Sequence, residues 1–366
     1  MLPKIMRQLV LAAVLLATAL PVRAADLPVL KTGFIFTTHH MPFLVACSKG
    51  EGLKELGVWL KPVAERESYT LMDGEKPVAL LDLVVSKSGA ETAALFAQKH
   101  LDMGIASITA IMAGVDKGTP MKIVCPLQTE GMGLIAPKGS SVKTLDDFMT
   151  LVRQTKEPVK VGFHSPTSAP KIVFEGAMRQ AGFKVTLDPS DTTAQILLVD
   201  LKETSNLLAA LSAKQVEAVV GPSPFPEIAV TRGAGQLVCD LRDLPPSGQW
   251  HDFPCCVGVA SAEALQQHPE VVGAFVRLIV RANTWCNAHR EEAGSIAAQW
   301  LGLPAEAGRM NRLVFLNSFS DSWMRGAGQY LDILNRMGKF KGELKNRSLD
   351  QVRPLLFDES LLRQAK

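Results

Sequence analysis

Leu101-Asp102-Met103-Gly104-Ile105-Ala106-Ser107, with Gly118-Thr119-Pro120 a turn further on, is where the fold becomes readable. Met103–Ala106 is apolar and small, and suits a short buried strand. Ala90–Gln98 before it and Ile108–Lys117 after it carry helical spacing. Gly118-Thr119-Pro120 then leads into Met121–Cys125, a strand again. Helix and strand alternating at this pace is the grammar of βα units, and predicts an α/β fold with a mostly parallel sheet.

The same grammar extends both ways. Upstream, Val29–Phe36, Val58–Val63 and Val78–Val85 read as strands, and Pro42 opens a helical stretch toward Leu56. Downstream, Gly133–Ala136, Lys160–Phe163, Ile196–Val199, Ala218–Val220 and Leu237–Cys239 read as strands. Between them lie helical runs, one starting at Thr144-Leu145-Asp146-Asp147 with an N-cap Thr and acids in its first turn. Leu244–Pro254 is a connection rich in Pro, Gly and polar residues, and from Ser261 onward the pattern is almost entirely helical. The opening stretch also has an echo. Leu95–Ala106 and Leu211–Gly221 both run helix, Lys, three residues ending in an acid, short strand, small-residue turn. Two lobes built on one plan would produce this, although βα units share constraints that can also produce it.

The N-terminus predicts export. Lys4 and Arg7 precede an apolar run from Leu9 to Leu20. Pro21 ends it, and Val22-Arg23-Ala24 offers a small-residue cleavage site, so residues 1–24 read as a secretory signal peptide cleaved near Ala24. The run is too short for a membrane span, which needs roughly 20 residues. Removing it takes three of the 39 basic side chains and none of the 36 acidic ones, which leaves the two signs equal. That balance argues against nucleic acid as a partner. The remaining length exceeds what one core usually supports. The predicted organisation is one lobe from residues 25–130 and 245–366, the latter including the C-terminal helices, and a second lobe from 131–244. A monomer in the periplasm is expected. Six cysteines (Cys47, Cys125, Cys239, Cys255, Cys256, Cys286) permit disulfides in that compartment. Cys239 lies just before the connection and Cys255-Cys256 just after it, so a bridge from Cys239 to one of them is plausible. Two buried thiols, or metal ligands, are the other readings of the Cys pair.

Taken together, Leu101–Ser107, Gly118-Thr119-Pro120, Val161-Gly162-Phe163-His164-Ser165-Pro166, Gln215-Val216-Glu217-Ala218 and His268-Pro269-Glu270-Val271-Val272-Gly273-Ala274-Phe275 resemble the type II periplasmic binding proteins, over roughly residues 27–300. Within them the resemblance is to the group that binds aliphatic sulfonates, taurine, nitrate, bicarbonate or thiamine pyrimidine precursors. It implies a two-lobed fold with a ligand cleft and a helical C-terminal extension. It also implies a solute receptor without a cofactor, delivering a small polar or anionic molecule to the permease of an ABC importer. The alternatives are an enzyme resembling the thiamine pyrimidine synthases of the same fold, or a ligand-sensing accessory protein. Those synthases carry a Cys-rich iron motif, which the two adjoining cysteines here do not match. Three departures stand out: Lys99 and Lys214 occupy positions where the family often has Gly, and Glu217 one where it often has Asp.

In open α/β sheets ligands sit beyond the carboxyl ends of strands. Four loops qualify here, and they supply the candidate ligand-binding residues Thr38, His39, His40 and Met41; Ser107 and Thr109; Ser165, Thr167 and Ser168; Ser223 and Phe225. Hydroxyls and free backbone N–H groups before a helix can hold an oxyanion without a cationic side chain, though Ser and Thr are also ordinary N-caps. Phe225 and Trp250 are candidates for an apolar wall. His39-His40 is the sharpest local signal, and in an extended strand only one of the two would face a ligand. No further ligand stands at a fixed spacing from it, so no metal site is expected. No Ser-His-Asp motif, Gly-rich phosphate loop, HExxH or CxxC is present, in keeping with binding rather than catalysis.

Overall fold

The computed structural model describes residues 27–365, so the proposed signal peptide lies outside the described residues. The first block alternates as the sequence predicts. It contains β1 (Val29–Ile35), α1 (Met41–Lys49), β2 (Val58–Ala64), β3 (Ser68–Asp73), β4 (Lys76–Ser86), α2 (Gly89–Ala97), β5 (Met103–Ser107), α3 (Ile108–Asp116) and β6 (Met121–Thr129). A second block follows: β7 (Met132–Pro137), α4 (Leu145–Gln154), β8 (Val159–Phe163), α5 (Ala169–Gln180), β9 (Val185–Thr186), β10 (Ile196–Asp200), α6 (Asn206–Ser212), β11 (Ala218–Pro222), α7 (Phe225–Thr231) and β12 (Gly235–Asp240). The chain then returns through β13 (Pro254–Ser261), α8 (Ala262–Gln267), α9 (Pro269–Ala288), α10 (Arg290–Leu301), α11 (Ala305–Arg309), β14 (Val314–Phe315), α12 (Asp321–Arg336), α13 (Leu349–Leu356) and α14 (Ser360–Gln364).

Two sheets result. One has eight strands in the order β14-β6-β13-β5-β1-β4-β3-β2, and the other six in the order β12-β7-β11-β8-β10-β9. Their centres are parallel, β4-β1-β5 in the first and β9-β10-β8-β11 in the second. The remaining pairings are antiparallel, so the sheets are mixed rather than mostly parallel. Part of the difference is a strand the pattern reading passed over. β3 joins β4 through a two-residue turn, Gly74-Glu75, with Asp73 opposite Lys76. Glycine at the first position of a two-residue loop is a hairpin signal, and Gly74 stands there, at φ 59°, directly after Ser68–Asp73.

Local chemistry explains the elements that matter for the site. Thr144 caps α4 as predicted, in a reciprocal box with Asp147. Pro42 and Pro170 stand in the first turns of α1 and α5, where a missing N–H costs nothing. α12 packs on α5, with Ile333 against Gly176, and so ties the C-terminal helices to the second sheet. Asp116, the last residue of α3, accepts the backbone N–H groups of Lys341, Gly342 and Leu344 and fixes the tail beyond α12. Trp250 belongs to this core rather than to a ligand wall: its ring lies 4.9 Å from Phe253, which lies 4.4 Å from Tyr330, and its indole N–H donates to Pro245 O. A core this continuous excludes water, so any polar group inside it needs a partner.

Candidate functional site

The carboxyl ends of β1, β4, β5, β8 and β11 and the start of β13 converge on one cleft of about 50 Å³. A wider groove of about 810 Å³ lies between α5 and α12, lined by surface groups such as Arg179, Asp332 and Arg336. It gathers only the end of β9, at Leu187, so the narrow cleft is the better candidate.

Three helices begin at the cleft. Ser88, Ser107 and Ser168 are the N-cap residues of α2, α3 and α5. Ser88 does an ordinary cap's work, accepting from Glu91 N. The other two hydroxyls make no cap bond. Ser107 Oγ lies 2.8 Å from Thr109 Oγ1, whose hydroxyl donates to Thr167 O at 2.6 Å. Ser107 therefore donates to Thr109. Ser168 donates to Ser165 O. Thr37 caps the 3-10 turn Thr38–His40, accepting from His39 N and donating to Ser223 O in the second block.

That turn changes the geometry expected for the two histidines. They are not in a strand, and both His39 and His40 reach the cleft wall. His40 is fully buried and its Nδ1 accepts from Ile35 N–H at 3.0 Å, so Nε2 carries the proton. That Nε2–H has no partner. Burial, reinforced by the neighbouring His39, lowers the His40 pKa to about 3, so the ring is neutral at physiological pH. His164 lines the same cleft with an unpartnered Nδ1, and burial followed by His39 lowers it to about 4. Thr167 Oγ1 is the third unpartnered polar atom there.

His39 sits deeper. Its Nε2 donates to Gly131 O at 2.9 Å. Gly131 is at φ +70°, and a Cβ there would press on Leu313 and on His39 Nε2, so both conformation and space call for glycine. Nδ1 faces the Gln128 amide at 2.8 Å and Cys255 Sγ at 3.3 Å. Gln128 is oriented by Cys256 N–H, which donates to its Oε1 at 2.8 Å. The hydrogen bond from Cys256, opposed by burial and aided by His39, holds the Cys255 thiol well below the usual range. Cys256 is correspondingly pushed up.

Of the predicted binding residues, His39, His40, Ser107, Ser165, Thr167 and Ser168 line the cleft. The other five do not. Met41 is core, Thr38 is buried behind the wall, and Thr109 stands behind Ser107 as a hydroxyl bridge. Ser223 donates to Glu227 Oε1 beside a separate small cavity, and Phe225 packs on the apolar cluster of Leu207 and Val219. Thr37, Lys87, Ser88, His164 and Thr204 also line the cleft, beyond the residues expected from sequence. Ser88 and Glu91 form a capping pair legible in sequence, and His164 directly follows a predicted strand. Two cysteine expectations change. All six thiols are free: Cys239 is on β12 and Cys255 on β13, in different sheets. And His39, Cys255 and Cys256 form a compact set of potential metal ligands, although no spacing announced it, because the fold closes a gap of 216 residues.

The eight-stranded and six-stranded sheets with a cleft at their strand ends have the fold of the solute-binding proteins of ABC importers. A ligand-binding component of an ABC-type import system from Staphylococcus aureus, solved with zinc bound, superposes with a TM-score of 0.68 at 18% identity, covering 93% of this chain and 99% of that one. The nitrate-binding protein NrtA from Synechocystis gives 0.66 at 16%, covering 93% and 88%. The alkanesulfonate-binding protein SsuA from Xanthomonas axonopodis, bound to MOPS, gives 0.65 at 15%, covering 91% and 99%. At these identities the likeness is one of fold. The chain belongs to the NMT1-like family, whose model matches residues 23–302. It is also 30% identical over 129 residues to an uncharacterized protein of Methanocaldococcus jannaschii, covering 35% of this chain and 89% of that protein. Among the described residues no helix is long and apolar enough to cross a membrane.

Proposed function

We propose that this protein is an exported receptor that takes up a small polar or singly negative solute in the cleft and presents it to an ABC importer. In this reading residues 25–130 and 245–366 form one lobe and 131–244 the other, and export follows from the signal-like segment 1–24. One observation carries the proposal: three buried polar atoms, His40 Nε2, His164 Nδ1 and Thr167 Oγ1, line the cleft without a partner. Leaving such atoms unsatisfied costs about 1–3 kcal/mol each, which a polar ligand would recover. They come from both blocks, so one solute would touch both. The N-termini of α2, α3 and α5 add backbone N–H dipoles.

Size and charge narrow the class. A water needs roughly 10–15 Å³, and this cleft has about 50 Å³. Only a compact solute such as nitrate or bicarbonate fits the closed form. A sulfonate or a pyrimidine would need the cleft to open around its tail. His40 and His164 are neutral at physiological pH, so they suit a single negative charge or a neutral polar group better than a doubly charged phosphate. Native mass spectrometry of the purified protein tests this. The wild type is expected to carry a small-molecule adduct that His40→Ala/His164→Ala loses. An adduct retained equally by the double variant would overturn the assignment of the cleft.

A further inference from the structure

The structure assigns a thiophilic divalent cation site, best suited to Zn²⁺, to His39 Nδ1, Cys255 Sγ and Cys256 Sγ. A tetrahedral zinc ion with ordinary bond lengths separates two sulfur ligands by about 3.8 Å and a sulfur from a nitrogen by about 3.6 Å. Here the two sulfurs are 4.0 Å apart, and Nδ1 lies 3.3 Å from Cys255 Sγ and 4.0 Å from Cys256 Sγ. Each edge is within a few tenths of an ångström of the face of a tetrahedron, without movement of the backbone.

A metal-binding imidazole usually donates its other N–H to a carbonyl or carboxylate, which fixes the tautomer and ring angle. His39 already does so, through Nε2 to Gly131 O, in a position only glycine fills. That leaves the Nδ1 lone pair pointing at the sulfurs. In the neutral ring Gln128 Nε2 donates to that lone pair. Its alternative acceptor, Glu130 O, is 3.3 Å away, so the amide keeps a partner when an ion takes Nδ1.

All three residues are buried, and a net charge there would be costly. Two thiolates and a neutral imidazole balance a divalent ion and leave Cu⁺ one charge short, which selects Zn²⁺ among the soft cations. Any proton still on the thiols leaves for solvent as the ion binds. A simple Cys–His nucleophile pair would use Cys256 only as a hydrogen-bond partner of Cys255, whereas a metal takes all three groups as ligands. Because these side chains line the cleft, the fourth coordination position opens into it. The three-ligand site stands on its own, independent of what the cleft carries.

Titration of the reduced, chelator-treated protein with Co²⁺ and then Zn²⁺ decides the matter. The wild type is expected to develop thiolate-to-cobalt charge-transfer absorption of two-thiolate intensity. It should saturate at one ion per chain and be displaced by Zn²⁺. Cys256→Ser should halve the charge-transfer intensity, and His39→Gln should weaken Zn²⁺ binding at least about tenfold. Cys47→Ser, remote from the site, controls for non-specific thiol binding and should match the wild type. Absence of the cobalt band in the wild type, a band unchanged in Cys255→Ser/Cys256→Ser, or stoichiometric Cu⁺ binding without Zn²⁺ binding would each overturn the assignment. The circular dichroism of each variant, measured alongside, separates loss of the site from loss of the fold.

Discussion

His40 links stability to pH through a single ring. In the folded protein its pKa is about 3 against an ordinary 6.5, because burial and His39 both oppose the charge. Between those values the unfolded chain binds a proton that the folded chain refuses. Stability therefore rises with pH across the window and falls on acidification below 6.5. The loss reaches about 2–3 kcal/mol by about pH 4.5. His164 acts in the same direction over a narrower range, with its pKa at about 4. Urea unfolding followed from neutral to mildly acidic pH should show a shallower pH dependence for His40→Gln than for the wild type. Parallel profiles would contradict the burial argument. At this scale the sequence told half the story. His39-His40 before a helix was visibly unusual, and Ser107, Ser165, Thr167 and Ser168 were placed by their position after strands. The company His39 keeps was invisible, because Gln128, Gly131, Cys255 and Cys256 reach it only through strands that are far apart in the chain.

At the scale of elements, the echo noticed in sequence has a physical content. Lys99 and Lys214 each end a helix in the left-handed region, at φ 59° and 55°. Around them the backbone bonds match: Lys99 N to Phe96 O and His100 N to Leu95 O in one, Lys214 N to Leu211 O and Gln215 N to Ala210 O in the other. Each unit then pins its neighbouring strand with an acid. Asp102 Oδ2 accepts from Lys31 N on β1, and Glu217 Oε2 from Lys160 N on β8, both at 2.7 Å. Glutamate and aspartate thus do one job in the two blocks, which is why the departure from the family pattern is harmless. The lysines are not free of cost, since a side chain in the left-handed region costs roughly 1–2 kcal/mol that glycine avoids. Glycine also adds unfolded-state entropy, so the net gain is smaller. Lys99→Gly and Lys214→Gly should each raise the calorimetric unfolding free energy by about 0.5–1 kcal/mol, additively because the two helix ends lie in separate blocks. Destabilisation by either would show that the lysine side chain contributes more than its backbone costs. Other elements were harder to read. The strands β9 and β14 have two residues each, too few for any period to show. β13 hides its character behind the Pro- and Gly-rich connection that precedes it.

For the whole molecule, the contacts spanning the cleft decide how readily it opens. Thr37 donates to Ser223 O at 2.7 Å, Thr109 donates to Thr167 O at 2.6 Å, and Lys87 meets Glu203 at 3.5 Å on the surface. A neutral hydrogen bond nets about 1 kcal/mol and an exposed ion pair less. Each of these three bonds is cheap to undo on its own, and bending between packed bodies is the usual way such clefts admit a ligand. A solute bridging His40, His164 and Thr167 would then supply much of the energy of closure. The α/β class was legible because βα alternation is written into local pattern. The closed cleft was not, since its width depends on side chains from both blocks meeting. The most direct test is the melting temperature of the wild type and of His40→Ala/His164→Ala against a panel of nitrate, bicarbonate, alkanesulfonates, carboxylates and pyrimidines. At a hundredfold excess over its Kd, the true solute should stabilise the wild type by about 2.7 kcal/mol, a shift of a few degrees, and leave the double variant unmoved. A panel that shifts neither protein, or a solute that shifts both alike, would contradict the account.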